Sequence, residues 1–543
     1  MNAPLTTRRS AAGRLRRIGL LLLLAALTAP RPLAAQAADS SGPMPAALCQ
    51  RAREVRAAAL GSGLDDLLRM AEISGCLEGD HRSIRRAGPR PEPLPDGRRV
   101  RALLLPSSLY AVDRSTYPDD RNNGRLWAGV GVSSALRTGL QVQAPFITAV
   151  VRPELLYQEN RDFDTIDRER VGYSPLSSAY YATIDFPQRF GLESWWNLIP
   201  GDSYVRADLA WAAAGASTES LWRGPAARYP ILMSNTAGGF PHLFAGTSRG
   251  VDLWIGRLSG ELVWGRLTES DYFDETPDND QTGIANVAVV FEPRWLTGLS
   301  LGVTRSHLYR PGPNELDEVL AVLGLDTNEN PLGNDLASMF GRWVFRDAGA
   351  EVYGEMARED VLGPWPHFLM EPDHSQAYML GVQKVTSVNP SLALRVQGEL
   401  VALQEKGELR TNSRPLPIYY RHSRVRQGYT HRGQLLGAAV GPGADAQFLA
   451  LDALFGWGTV GAYYERVRRN DQTPEAVRER RWYPYEHDVE VIGGLRATYF
   501  RGPIALWTDI ARSYRYNRDF GDDDTNWRTE IRLTWSPTLE WTW

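Results

Sequence analysis

The chain closes on WRTEIRLTWSPTLEWTW, residues 527–543. One parity is wholly polar: Arg528, Glu530, Arg532, Thr534, Ser536, Thr538, Glu540 and Thr542. The other carries Trp527, Ile531, Leu533, Trp535, Pro537, Leu539, Trp541 and Trp543, with Thr529 the one exception. Strict period-two alternation is the mark of a β-strand with one apolar and one polar face. As one strand, 17 residues would span ~56 Å, and tilted by ~40° would rise ~43 Å, well beyond the ~25 Å apolar band of a transmembrane barrel. Either the strand projects beyond the membrane or Pro537, which cannot donate a ladder hydrogen bond, interrupts it.

The same pattern recurs upstream. Tyr204, Arg206 and Asp208 alternate with Val205, Ala207, Leu209 and Trp211. Leu299, Leu301 and Val303 alternate with Ser300, Gly302 and Thr304, and Leu392, Leu394, Val396 and Leu400 with Ala393, Arg395, Gln397 and Glu399. Two architectures produce many such strands. A soluble sandwich buries the apolar face, whereas an outer-membrane barrel turns it to lipid and its polar face to the lumen. The polar face is dense in charge and the apolar face rich in Trp, Tyr and Leu, as lipid-facing bands with aromatic girdles are. The 444 residues from position 100 onward, at roughly 24 per strand with its loop, predict an all-β closed antiparallel barrel of about 16–18 strands. Trp543 is the terminal aromatic that the barrel-assembly machinery would read.

The N-terminus sets the compartment. Arg8, Arg9, Arg14, Arg16 and Arg17 precede the apolar run IGLLLLLAAL (18–27), followed by PLAAQAADS. This is a signal peptide with cleavage near Ala37 or Ala38, so residues 1–37 are expected to be removed on export. Residues 38–86 read as a small periplasmic helical segment. Leu48, Ala52, Val55 and Ala59 fall at helical spacing, as do Leu64, Leu67, Leu68 and Ala71, with Gly61-Ser62-Gly63 between them. Ser62 and Asp65 make a capping-box-like start. The only two cysteines, Cys49 and Cys76, come level in an antiparallel hairpin. In an oxidising compartment they are expected to be bonded. Residues 87–99 read as a proline-rich linker and 100–543 as the barrel.

Charge and motifs exclude several classes. Sixty basic side chains against 64 acidic ones give no polyanion-binding signal overall, so nucleic acid is not an expected partner. GTSRG (246–250) imitates a nucleophile elbow, but VDLWIGRL follows it as a strand, where the elbow needs a helix. DNDQTG (278–283) starts like a calcium loop, yet Val289 stands where the bidentate Glu belongs. No histidine spacing suits zinc and no phosphate-cradling loop exists. Neither enzyme chemistry, metal nor cofactor is expected.

The strongest charge feature is residues 409–444, which hold Arg410, Arg414, Arg421, Arg424, Arg426 and Arg432 and no Asp or Glu. Tyr419, Tyr420 and Tyr429 interleave with them. Guanidinium forks pair with carboxylates or phosphates, and tyrosine faces suit sugars. Arg414, Tyr419, Tyr420, Arg421, Arg424, Arg426, Tyr429 and Arg432 are therefore a candidate site for an acidic glycan. The same stretch suits lipopolysaccharide phosphates or the balancing of lumen carboxylates.

Three stretches carry a family resemblance: STYPDDRNNGRLWAGVGVSS (115–134), ESLWRGPAARYPILMSNTAGGFPHL (219–243) and GYTHRGQLLGAAVGPGAD (428–445). In order and spacing they resemble the Wzi-type capsule-assembly outer-membrane family. The matching positions are Asn123, Gly124, Trp127 and Gly129; Trp222, Gly224, Pro225, Ser234 and Asn235; and Gly433, Leu436, Gly437 and Gly441. Thr236 stands where the family pattern has a second asparagine. The resemblance implies a large barrel in the bacterial outer membrane with a small periplasmic helical bundle, set among outer-membrane lipids. It implies a role in binding and anchoring capsular or extracellular polysaccharide; the alternative reading is a porin or glycan-transport channel.

Overall fold

The computed structural model describes residues 42–55, 57–78, 81–91, 94, 99–119, 123–167, 170–313, 315–323, 333–359, 375–403, 419–473 and 486–543. The expected signal peptide and linker residues 92, 93 and 95–98 lie outside these residues. From Arg101 onward the chain is an up-and-down antiparallel meander of 18 strands closed into a barrel. Closure is made by the first strand, Arg101–Arg114, pairing with both the second, Gly131–Gln143, and the last, Asp524–Trp535. Pro537 does break that last strand. It ends at Trp535 and resumes at Glu540–Thr542, and the amide of Trp543 donates to the Val100 carbonyl at 3.0 Å.

Side-chain alternation runs as the sequence predicts. Ile531, Leu533 and Trp535 face outward and are exposed, whereas Arg528, Glu530 and Thr534 are buried in the lumen. Exposed Leu, Val and Ile continue around the outer wall, as in Leu136, Val205, Leu301, Leu394, Leu449 and Leu495. At one end the strands are joined by short turns that carry exposed Phe146, Trp211, Trp254, Trp295 and Trp457, with Trp541 and Trp543 of the final strand near them. Toward the long-loop end stand Tyr378, Tyr514, Tyr516 and Trp527. An apolar band between two aromatic girdles on a closed barrel is the physical signature of a bilayer-spanning protein. The short turns mark the periplasmic end and the long loops the outside.

The lumen is filled. From the periplasmic mouth enters a helical hairpin, α1 (Ala46–Glu54) and α2 (Gly63–Ile73), tied by the Cys49–Cys76 disulfide across a Cα–Cα distance of 5.4 Å. The Ser62 side chain caps α2 by accepting from the Asp65 amide at 3.4 Å. Helix α1 stops at Glu54, short of the Ala59 that periodicity predicts. The reason is tertiary: Leu60 packs on Trp222 and Ala87, and its carbonyl accepts from Asn235 Nδ2 at 2.5 Å, so the chain leaves the helix to reach the lumen centre. Leu48, Leu67, Met70 and Ile73 form one core with Val385, Ala393 and Leu454 of the wall. Buried ion pairs reinforce it. Glu351 on the wall accepts from Arg69 of α2 at 2.6 Å and from the wall's Arg342 at 2.7 Å. Arg395 bridges Asp66 of the hairpin at 2.6 Å and Asp452 of the wall at 2.9 Å.

Above the hairpin, residues 218–241 and 419–444 turn inward and pack as the main core of the molecule. Glu399, read from sequence as facing an aqueous lumen, instead accepts three successive plug amides: Ala227 at 2.9 Å, Arg228 at 3.0 Å and Tyr229 at 2.6 Å. Arg228 in turn pairs with Glu465 at 2.5 Å. The lumen charges therefore serve as sockets for the plug. Three cavities between plug and wall, of about 110, 30 and 110 Å³, have room for a few waters each.

Candidate functional site

The three motif stretches meet in the plug. The Gly124 amide donates to the Asn235 carbonyl at 2.7 Å, and Asn123 Oδ1 accepts from the Tyr110 hydroxyl at 3.0 Å. Ser234 donates through its amide to Leu436 at 2.7 Å and through Oγ to the Gly437 carbonyl at 2.6 Å. A side chain at Gly437 would stand 2.4 Å from both the Ile231 carbonyl and the Tyr420 hydroxyl, so only glycine lets these segments touch. Gly224, at φ +89°, turns the chain so that its amide reaches Ser83. Trp222 is fully buried beneath Arg85, and Trp127 stacks on Phe190 at 4.6 Å. Gly129 packs on Trp127, and Gly433 (φ +75°) and Gly441 (φ +93°) take left-handed turns. Pro225 and Leu436 are buried with them. Thr236 is buried too, its amide donating to Ser234 Oγ at 2.9 Å. These positions fasten plug segments to one another.

The long-loop end presents the other candidate residues. Arg421, Arg424, Arg426 and Arg432 reach its surface, whereas Tyr419, Tyr420 and Tyr429 do not. Tyr420 is fully buried; its hydroxyl donates to the Ile231 carbonyl at 2.6 Å and its ring stacks on Tyr429 at 5.7 Å. The Tyr429 hydroxyl and Ser306 Oγ of the wall are 2.8 Å apart. The three tyrosines are plug core, with no face free to stack on a sugar. Arg414 lies outside the described residues.

A different set of aromatics accompanies the arginines. Loop 159–194 crosses the same end and brings Arg170, Tyr173 and Tyr181. The Tyr173 ring lies between Arg170 and Arg426, whose guanidinium carbons are 5.1 and 5.2 Å from its centroid. Arg426 also donates to the Tyr173 hydroxyl and stands 3.8 Å from Asp274. Arg421 lies 5.0 Å over the Tyr181 ring and donates to Thr183 Oγ1 at 3.0 Å; burial lowers its pKa. Arg424 is exposed between them in sequence. The outcome is a patch of guanidiniums in which Arg170, Arg421 and Arg426 lie over tyrosine rings. Sequence reading missed Arg170 and Tyr173, because residues 159–194 hold seven Asp or Glu against four Arg and so read as an acidic loop.

Beneath the patch, Asp185 Oδ2 accepts from the Ser270 amide at 2.7 Å and Oδ1 from Ser270 Oγ at 2.6 Å. Burial lifts its pKa to about 7. Burial, then the nearby Asp185 and Asp274, lifts that of Glu269 to about 8. Ser248 sits at the opposite, short-turn end, its Oγ donating to the Ala210 carbonyl at 3.0 Å, and the strand Val251–Leu253 follows it. Among the described residues no three His, Cys, Asp or Glu side chains gather as metal ligands.

A family model described as capsule assembly protein Wzi matches residues 137–499. No curated protein matches the sequence. Among solved structures, the chain is similar to Wzi of Escherichia coli, an outer-membrane protein involved in group 1 capsule assembly and described as a carbohydrate-binding β-barrel. That match has 13% identity and a TM-score of 0.53, over 80% of this chain and 85% of that one. Pseudomonas aeruginosa OccK7 (OpdD) aligns at 11% identity and a TM-score of 0.39, over 82% of this chain and 99% of that one. Acinetobacter baumannii OccAB4 aligns at 10% identity and 0.39, over 82% and 100%.

Proposed function

The chain belongs to the Wzi family of capsule assembly proteins, and from that premise we propose that it binds capsular polysaccharide non-covalently and anchors it at the cell surface. The observation that carries this reading is the plug: among the described residues the inward-turning segments pack as the main core inside the barrel, which leaves the long-loop face to a polymer outside the cell. On that face the contact is assigned to Arg170, Arg421, Arg424 and Arg426 around Tyr173, with Arg432 nearby. Each exposed ion pair contributes about 0–1 kcal/mol, and a repeating acidic polymer engages many at once, so the summed affinity holds. The reading is one of binding: Ser248 Oγ donates to the Ala210 carbonyl, and a strand follows it where a nucleophile elbow needs a helix. Trp543 at the last strand's edge is the feature offered to the barrel-assembly machinery.

The porin reading requires an open lumen and is disfavoured by the plug. The deciding experiment replaces Arg421, Arg424 and Arg426 with glutamine and measures polymer retained on cells against polymer shed to the medium. Shedding should rise while total polymer stays constant. Binding to purified barrel should fall with salt, because the Debye length shrinks from about 10 Å at 0.1 M to about 3 Å at 1 M. Unchanged retention with salt-insensitive binding would refute the assignment.

A further inference from the structure

The barrel wall is not of uniform height. The strand Ala212–Ser217 stops at Ser217 and the next begins at His242, whereas Gly256–Thr268 rises past them to Thr268. The connection 218–241 turns into the lumen instead of continuing the wall. A notch is left on the lipid side, in the half of the wall nearer the long loops. It is a groove of about 610 Å³ lined by Val151, Val205, Ala216, Leu243 and Trp264, among others, and volumes of roughly 300–1,000 Å³ hold small ligands. Val151, Val205 and Leu243 are more than half exposed and continuous with the lipid-facing belt.

Arg266 lines its upper rim, and Arg432 joins the same strand just above it. Arg266 projects outward two residues above Trp264, with its guanidinium 3.4 Å from the Tyr309 hydroxyl and paired with Glu315 of α3 (Glu315–Ala321). Arg432 is exposed, and its amide donates to the Thr268 carbonyl at 2.7 Å, two residues further along the same strand. An outward arginine on a barrel is tolerated where its head reaches the head-group level. Guanidinium forks match phosphate oxygens in that position.

We propose that the notch holds one acyl chain of an outer-leaflet lipid whose phosphorylated head group lies on Arg266 and Arg432. A lipid sliding past a smooth wall meets protein on one side; here the chain is flanked by strand edges on two sides and by the plug behind. The opening faces hydrocarbon and the cations lie only at the head-group end, which selects a lipid over a second protein. Arg432 borders the polysaccharide face as well, but the groove and Arg266 lie below that face, and the lipid reading does not depend on it.

The test reconstitutes the full chain in nanodiscs of phosphatidylcholine doped with lipid A, then counts lipid retained per chain by native mass spectrometry after transfer to detergent. Lipid A should be retained in preference to phosphatidylcholine. The pair Arg266→Gln and Arg432→Gln should lower retention about tenfold or more, as loss of charge-assisted hydrogen bonds implies. Ala216→Trp, which fills the groove, should abolish it, and Glu315→Gln, which releases Arg266, should raise it. Folding is checked for each variant by heat-modifiable migration, and if Ala216→Trp fails to fold the arginine pair decides. Equal retention of both lipids, or unchanged retention in the folded arginine variant, overturns the proposal.

Discussion

Replacing Glu351 by glutamine tests whether charge holds the hairpin in the periplasmic mouth. Its carboxylate is buried and accepts from Arg69 at 2.6 Å and Arg342 at 2.7 Å. Both arginines are themselves buried, and Arg342 also pairs with Glu72 of the hairpin at 3.2 Å. Glutamine keeps the volume but leaves two guanidiniums facing each other across a neutral amide. Removing one partner from a buried pair costs about 3–5 kcal/mol. That cost falls on docking of α2 and spares the barrel ladders, so it reads out as local opening. Amide hydrogen exchange across residues 63–73 should then accelerate roughly 10²–10⁴-fold, while the barrel strands stay protected. The triple replacement Arg69→Met, Arg342→Met, Glu351→Leu should restore most of the protection, because an apolar substitute for a buried triad is often neutral or better. Exchange in Glu351→Gln within tenfold of wild type would refute the reasoning and leave the clamping to the apolar core, the disulfide and the Arg395–Asp66 pair.

Cys49→Ser with Cys76→Ser should loosen the same hairpin by roughly 3–4 kcal/mol at most, from the chain entropy of its loop; non-reduced peptide mass spectrometry of the wild type should recover the linked pair. The outer loops should depend on pH. Asp185 and Glu269 titrate at about 7 and about 8 when folded, above their unfolded values of about 4, so the folded loops hold more protons. Their packing is most stable below about pH 4 and weakens as pH rises, so proteolysis within 159–194 should quicken from about pH 4 to about pH 8 and level off above it, and Asp185→Asn should reduce that rise. Deleting residues 541–543 removes the ladder to Arg101 and Ala102 and should lower the yield of heat-modifiable barrel; an unchanged yield would place the assembly signal elsewhere.

The wall was legible because its signal is local. Alternation at 527–535 or 392–400 is decided within one strand by which side chains tolerate lipid, and Pro537 breaks the ladder by its own chemistry. The plug was not legible, because its bonds join residues far apart in the chain. Glu399 looks from sequence like any lumen carboxylate, and only the fold brings the amides of 227–229 to it. Helix α1 stops early for the same reason, drawn off by Asn235, 175 residues from Leu60.

The tyrosines of 419–429 show how composition misleads at a site. An arginine-and-tyrosine stretch offers two facts, charge and aromatic surface, and the natural reading joins them in one contact. Burial separates them here. Arginine heads stay at the surface because desolvating an unpaired guanidinium is costly, whereas tyrosine can bury its ring if its hydroxyl finds an acceptor, as Tyr420 does at Ile231. The two residue types thus part along the same segment, tyrosine inward to fasten the plug and arginine outward. The aromatic surface beside those arginines comes from Tyr173 on another loop. A packed plug beneath a charged rim suits anchoring: under the proposed assignment, the load of a polymer held at Arg421 would pass to the adjacent Tyr420, stacked on Tyr429, and from Tyr429 to the wall at Ser306.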